Sequence, residues 1–183
     1  LNIETFIHTT NHISDPDVLT SCVTETIAGY GYKQIIFFSD FGPEYDRGNL
    51  THKQEFIEYY AARNLKAADP VLHLFYNQNI PFTLKQINVA ELAPTQQDAM
   101  AWHHKSGMRY GYNIPTGTLS TKWVGVTLGS DTAAREDEIA LLELYAIVNQ
   151  YILRQAQLCK EHPQTAKTMQ TFIRMPMRFR IKQ

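Results

Sequence analysis

The 183-residue chain is short of cysteine, has no long apolar run, and lacks the compact patterns that mark common catalytic sites. Two cysteines, Cys22 and Cys159, are too few for a disulfide scaffold and read as reduced thiols. No apolar stretch approaches the roughly 18 residues of a membrane-spanning helix. The N-terminal residues lack the basic-then-apolar pattern of a secretion signal. Both features point to a cytoplasmic protein with no membrane partner. There is no Gly-x-Ser-x-Gly nucleophile turn, and neither cysteine stands among glycines or histidines. No glycine loop of the Walker or dinucleotide kind is present to cradle phosphate; Gly107-Met108-Arg109-Tyr110-Gly111 follows a helix and precedes a strand, the wrong order. Nothing supports an enzyme, and a small acyltransferase is the last choice.

Positive charge is also scarce where a phosphate-binding surface would need it. The net charge is −1, but residues 1–159 hold 11 basic against 17 acidic side chains. A body of that sign repels nucleic acid. The six basic residues from Lys160 onward stand against Glu161 alone.

Metal chemistry fares no better. His8 and His12 are spaced i, i+4 without the glutamate of a zinc-hydrolase helix, and no third ligand cluster stands out. His103 and His104 are adjacent, so on a helix they diverge by about 100° and cannot both aim inward. The seven histidines are expected to be surface or locally bonded residues, with no metal.

What is there is 44% hydrophobic residues in alternating helical and strand patterns, enough for one compact domain. Ser14-Asp15-Pro16 reads as a helix start, with Leu19, Val23 and Ile27 at helical spacing and Gly29 and Gly31 as the stop. Residues 33–40 read as a buried strand and 41–49 as a loop or hairpin tip. A second helix is expected from Thr51 and a third from Asp69-Pro70. Residues 81–88 alternate as a half-buried strand would. A helix over 94–106 stops at Gly107, strands 108–115 and 122–130 form a hairpin, and a long amphipathic helix covers about 133–158. With no regular β-α-β alternation, the expected class is α+β with a mostly antiparallel sheet between helical layers.

Together "YAARNLKAADPVLHLFYNQNIPFTL", "HHKSGMRYGYNIPTG" and "VTLGSD" resemble the N-terminal ligand-binding domain of LuxR-type quorum-sensing regulators over roughly residues 15–160. The resemblance implies an α-β-α sandwich that encloses a small amphiphilic signal, typically an N-acyl-homoserine lactone, and controls transcription as a dimer. It implies that Asp69 accepts the ligand's amide N–H, that Tyr60 lies beside the acyl chain, and that Thr127 adds a polar contact. It also implies that backbone passes close to packed neighbours at Gly111. No cofactor beyond the signal ligand is implied. The chemistry is consistent: such a ligand has one donor and two carbonyl acceptors on a greasy tail, and each left unpaired in a buried site costs about 1–3 kcal/mol.

This chain departs from the family pattern where a tryptophan usually donates to the lactone carbonyl, because Phe56 stands there with no donor. Leu84 replaces a second aromatic, and His52 falls near a usual tyrosine and is a replacement donor to consider. These changes open the ligand class to another amphiphile, such as a pyrone or alkylated aromatic. The resemblance places the sensor domain over 1–160, with 161–183 as a basic tail or linker too short for the helix-turn-helix module through which DNA contact would run. An alternative reading is a ligand-free, antiactivator-like partner that forms heterodimers with a full-length regulator. Asp69 itself keeps two readings, helix cap and ligand contact, because an Asp before Pro is a strong helix start on its own.

Overall fold

The computed structural model describes residues 3–39, 42–44, 59, 62–63, 65–115 and 123–161; side chains at 37–39, 42–44, 66, 123–124 and 159 are outside the description. The expected helix over 51–64 therefore lies almost wholly outside the described residues, apart from Tyr59, Ala62 and Arg63.

A helix, α1 (Ile3–Asn11), leads into α2 (Pro16–Ala28). The carboxylate of Asp15 caps α2 by accepting the N–H groups of Asp17 and Val18 at 2.8 and 3.3 Å. That satisfies backbone donors which a helix start otherwise leaves bare. Gly31, at φ +92°, makes the reversal that ends this segment, in a conformation that costs any other residue strain. Strand β1 (Gln34–Ser39) is followed by β2 (Gly42–Glu44), which pairs with it antiparallel, so the region expected as a loop or hairpin tip begins with a short strand.

The next described elements are α3 (Leu65–Ala68), α4 (Pro70–Asn77) and β3 (Phe82–Thr83). Two 3-10 turns, Leu84–Gln86 and Val89–Glu91, lead to α5 (Pro94–Lys105). Strands β4 (Tyr110–Pro115) and β5 (Trp123–Ser130) and the long helix α6 (Glu138–Glu161) complete the chain as described.

The half-buried strand expected over 81–88 is corrected: only Phe82 and Thr83 pair, and Leu84 begins a 3-10 turn. Its physical cause is local. The Gln86 side-chain oxygen accepts the Thr83 N–H, curling the chain away from the sheet. Phe82, Thr83 and Leu84 are consequently all buried, which alternation forbids. The long helix likewise starts at Glu138 rather than near 133. The Arg135 N–H is taken by the Tyr30 carbonyl at 2.9 Å. Asp137 then accepts the Ala140 N–H at 3.0 Å, which holds its carboxyl below the usual carboxylate range.

The sheet runs β2-β1-β5-β4-β3, and every pairing among the described strands is antiparallel. Alternation along the strands divides the core in two. Ile35, Tyr112, Ile114, Val126 and Leu128 meet α1, α2 and α6 on one face. Ile36 belongs to the other cluster, with residues from α3, α4, α5 and the 3-10 segment. The α-β-α sandwich expected from the sequence is the fold. Helix α6 is also sewn to the N-terminal helices by polar contacts: the buried Arg154 donates to the Ile13 carbonyl at 3.2 and 2.8 Å, and Gln150 to Asn11 at 2.8 Å.

Buried phenols make this first layer sensitive to alkali. Burial, followed by the hydrogen bond to Glu143 at 2.8 Å, pushes Tyr30 up to about 12. Burial, followed by the nearby Tyr145, pushes Tyr112 up to about 12. Tyr32 is raised too, by burial first and then by the charge of Glu136. An unfolded chain ionises its tyrosines near about pH 10 while the fold keeps them neutral. The stability that Tyr30 and Tyr112 contribute is thus fully present below about pH 10 and lost as pH rises through about 12. Urea midpoints at about pH 9 and 11 test this, and Tyr112→Phe should flatten the decline.

Candidate functional site

The site builds on a sheet face rich in glycine. Facing the second layer, β4 and β5 present Gly111, Asn113, Pro115, Gly125, Thr127 and Gly129, and β1 presents Ile36. A Cβ at Gly111 would fall 2.6 Å from Leu84 Cδ1, and one at Gly125 would overlap the Phe75 ring. Only glycine lets these side chains lie directly on backbone. The expected close approach at Gly111 is therefore present, and its neighbour is Leu84, one of the candidate site residues.

Between the glycines sits a buried polar pair. Thr127 stands opposite Asn113 across the ladder and donates its hydroxyl proton to Asn113 Oδ1 at 2.7 Å. Asn113 in turn donates to the Phe82 carbonyl at 3.3 Å. Thr127 is buried, and with its proton committed it offers a ligand an acceptor rather than a donor.

Asp69 lies in the helical layer that covers this face, 1% exposed. It closes the short α3 and caps α4: its Oδ1 accepts the Val71 N–H at 2.7 Å, with Pro70 in the first turn. Its other oxygen, Oδ2, lies 2.9 Å from Nε2 of His103, which is 2% exposed. A carboxylate only accepts, so the ring presents Nε2–H. The cap reading of Asp69 is correct, and the same side chain also reaches across to α5. The positive end of α4 further favours a negative charge here.

Sequence reasoning misses His103, and the expectation of surface or locally bonded histidines is corrected for it. On α5, Ala99, Met100 and His103 fall on one buried face at i, i+1, i+4, while His104 points to solvent as the 100° divergence requires. The inward spacing is legible in the sequence; the partner, 34 residues away, is not.

On the outer side of α5, Trp102 stacks on Tyr59 with ring centroids 3.8 Å apart. Lys105 lies over the indole at 4.9 Å and Arg63 over the phenol at 4.8 Å. Such a column of cations and rings adds attraction beyond apolar burial. It also makes Trp102 a packing residue. Tyr60, Phe56 and His52 lie outside the described residues. Of the remaining candidates, the structure gives Leu84 and Thr127 to one sheet face and Asp69 to the layer above it.

The sequence model of the autoinducer binding domain matches residues 15–155. The chain belongs to the autoinducer-binding domain family. That family consists of signal-binding domains of quorum-sensing transcription regulators, not of enzymes. No curated protein sequence matches the chain. Among solved structures it is similar to CepR2 of Burkholderia cenocepacia, an N-acylhomoserine lactone-dependent LuxR-family transcription factor. The TM-score is 0.58 at 18% identity, covering 83% of this chain and 92% of that one. It is also similar to the chromophore-binding domain of the R. palustris bacteriophytochrome RpBphP3, with a TM-score of 0.51 at 12% identity over 87% and 60% of the two chains. At these identities the likeness is one of fold. Among the described residues of this autoinducer-binding domain, no helix is long and apolar enough to cross a membrane.

Proposed function

We propose that this domain binds a small amphiphile of the N-acyl-homoserine lactone type between the sheet and the α3–α5 layer, and passes its occupancy to transcription. The observation that carries the reading is the Asp69 carboxylate, buried in the apolar layer that covers the glycines and the Thr127–Asn113 pair of β4 and β5. Asp69 accepts the ligand's amide N–H, Thr127 offers an acceptor, and Leu84 and Phe75 wall the apolar tail. Tyr60 and Phe56 complete the wall, and His52 supplies a donor in place of the indole that Phe56 lacks. Where that donor is not enough for a lactone, a pyrone or alkylated aromatic takes its place.

The domain acts in the cytoplasm as a homodimer through α6, on which Ile139, Leu142 and Leu153 stand exposed at i, i+3 and i+14, one side of the helix. Residues 1–160 form the sensor unit and 161–183 a basic tail or linker, with DNA contact left to a separate module.

Thermal unfolding across acyl-homoserine lactones of varied chain length, pyrones and alkylresorcinols tests the proposal. A native-state ligand at about 100 times its Kd adds about 2.7 kcal/mol, a rise of roughly 5–11 °C for a domain this size. No rise with any compound, in protein free of co-purified ligand, favours the second reading: an antiactivator-like partner that heterodimerises with a full-length regulator. The direct seating of Phe75 on Gly125 supports that alternative, since it closes the layer without a ligand.

A further inference from the structure

We propose that His103 is a positioning residue of this site: it holds the Asp69 carboxylate in the one orientation from which Asp69 selects ligands bearing an N–H donor. The inference rests on the reading of Asp69 as the acceptor of the ligand's amide. It names a residue, on a different helix, that makes the acceptor selective.

The geometry carries it. A carboxylate attached through two rotatable bonds sweeps a cone, and its lone pairs point nowhere in particular until both oxygens are held. Here Oδ1 is held by the Val71 N–H at 2.7 Å and Oδ2 by Nε2 of His103 at 2.9 Å. The first bond comes from the backbone of α4 and fixes one oxygen; the second fixes the other and stops rotation about the first. That second bond comes from α5, where His103 shares its buried face with Ala99 and Met100. Two helices thus set one carboxylate. Its acceptor directions are fixed before any ligand arrives, the condition for a polar group to discriminate rather than merely attract. Burial matters as much: at 1% exposure, water does not compete with a ligand for the carboxylate. An amide N–H placed against it gains a charge-assisted bond, whereas an ester oxygen placed there meets repulsion between two acceptors.

Two substitutions separate positioning from support. Gln places its side-chain N–H at the reach of a histidine Nε2–H, so His103→Gln keeps the donor. His103→Leu keeps the bulk and loses it. Binding is measured by competition calorimetry for two probes: N-octanoyl-homoserine lactone, and the same molecule with an ester oxygen in place of the amide N–H. Wild type and His103→Gln should prefer the amide by about tenfold or more, the range of one hydrogen bond to a charged group. In His103→Leu the preference should fall to within about threefold.

A folded His103→Leu domain that keeps the full preference overturns the inference while leaving Asp69 as the acceptor. A wild type that does not favour the amide removes the Asp69 reading and the inference with it. Ring nitrogen NMR of the ligand-free wild type provides a measurement that needs neither variant folding nor ligand. A protonated Nε2 at His103 is the expected result; a bare Nε2 overturns the inference.

Discussion

Asp69→Ala should lower stability by about 1.5–5 kcal/mol, through the bonds its two oxygens make. Two losses add up within it. The Val71 N–H loses its cap, worth about 0.5–2 kcal/mol, and the buried His103 N–H loses its Asp69 acceptor, at about 1–3 kcal/mol. For a domain of this size the melting temperature should fall by roughly 3–20 °C. Asp69→Asn should behave differently. The amide oxygen still caps Val71, and its N–H₂ pairs with His103 once the ring moves its proton to the other nitrogen. Stability then drops by only about 1 kcal/mol, in the range of a neutral bond replacing a charge-assisted one. What this variant loses is acceptor capacity toward a ligand N–H. Calorimetric melts of both variants, with and without N-octanoyl-homoserine lactone, distinguish the cap from the ligand contact. If Asp69→Asn melts as low as Asp69→Ala, the account of two separately satisfied oxygens is wrong.

The second large effect belongs to Phe75. Its ring lies on Gly125, in the space a side chain there would occupy. Phe75→Ala should cost about 3–5 kcal/mol through lost burial and the cavity left behind. Gly125→Ala alone should cost about 1–3 kcal/mol, because the new methyl group overlaps the ring and the layer must shift to admit it. Combined, the two should not add. With the ring gone the methyl has room, so the double variant should be no less stable than Phe75→Ala, a coupling of about 1–3 kcal/mol. Denaturant titration of the four proteins measures it. Additive losses would mean that the ring does not lie on Gly125 in solution.

Features governed by neighbouring residues are legible in the sequence itself. Asp15-Pro16 and Asp69-Pro70 start helices because the acid satisfies bare N–H groups within three residues of itself. Gly107 stops α5 by turning to φ +85°, and the β4–β5 hairpin follows from two apolar strands joined by a polar loop. Sequence patterns mislead where a specific bond overrides them. Residues 81–88 alternate as a strand should, yet a single Gln86 oxygen diverts the chain after Thr83. Residues 133–137 look helical, but the Tyr30 carbonyl claims Arg135 first. The Thr-rich α1 carries weak intrinsic helix preference, so nothing local announces it. It is held by Phe6 in the core and by Thr10, whose hydroxyl returns to the Phe6 carbonyl at 2.9 Å. For the site, the acid is legible and its histidine is not, because spacing shows which way a side chain points and not what waits there.

The sandwich distributes its layers unevenly along the chain. The face of α1, α2 and α6 is assembled from the first and last helices among the described residues and clamped by Arg154. Among the described residues, the buried members of the opposite cluster come, apart from Ile36, from the stretch between Leu65 and Met108, with Tyr59 packed against them. Of the binding residues proposed for the domain, Asp69, Phe75 and Leu84 belong to that stretch, whereas Thr127 belongs to the sheet and Tyr60, Phe56 and His52 precede it. Recombination that exchanged the stretch would replace the buried acceptor and part of the apolar wall together, and leave the sheet hydroxyl and the α1, α2 and α6 layer in place. One splice would therefore alter several contacts to a signal at once.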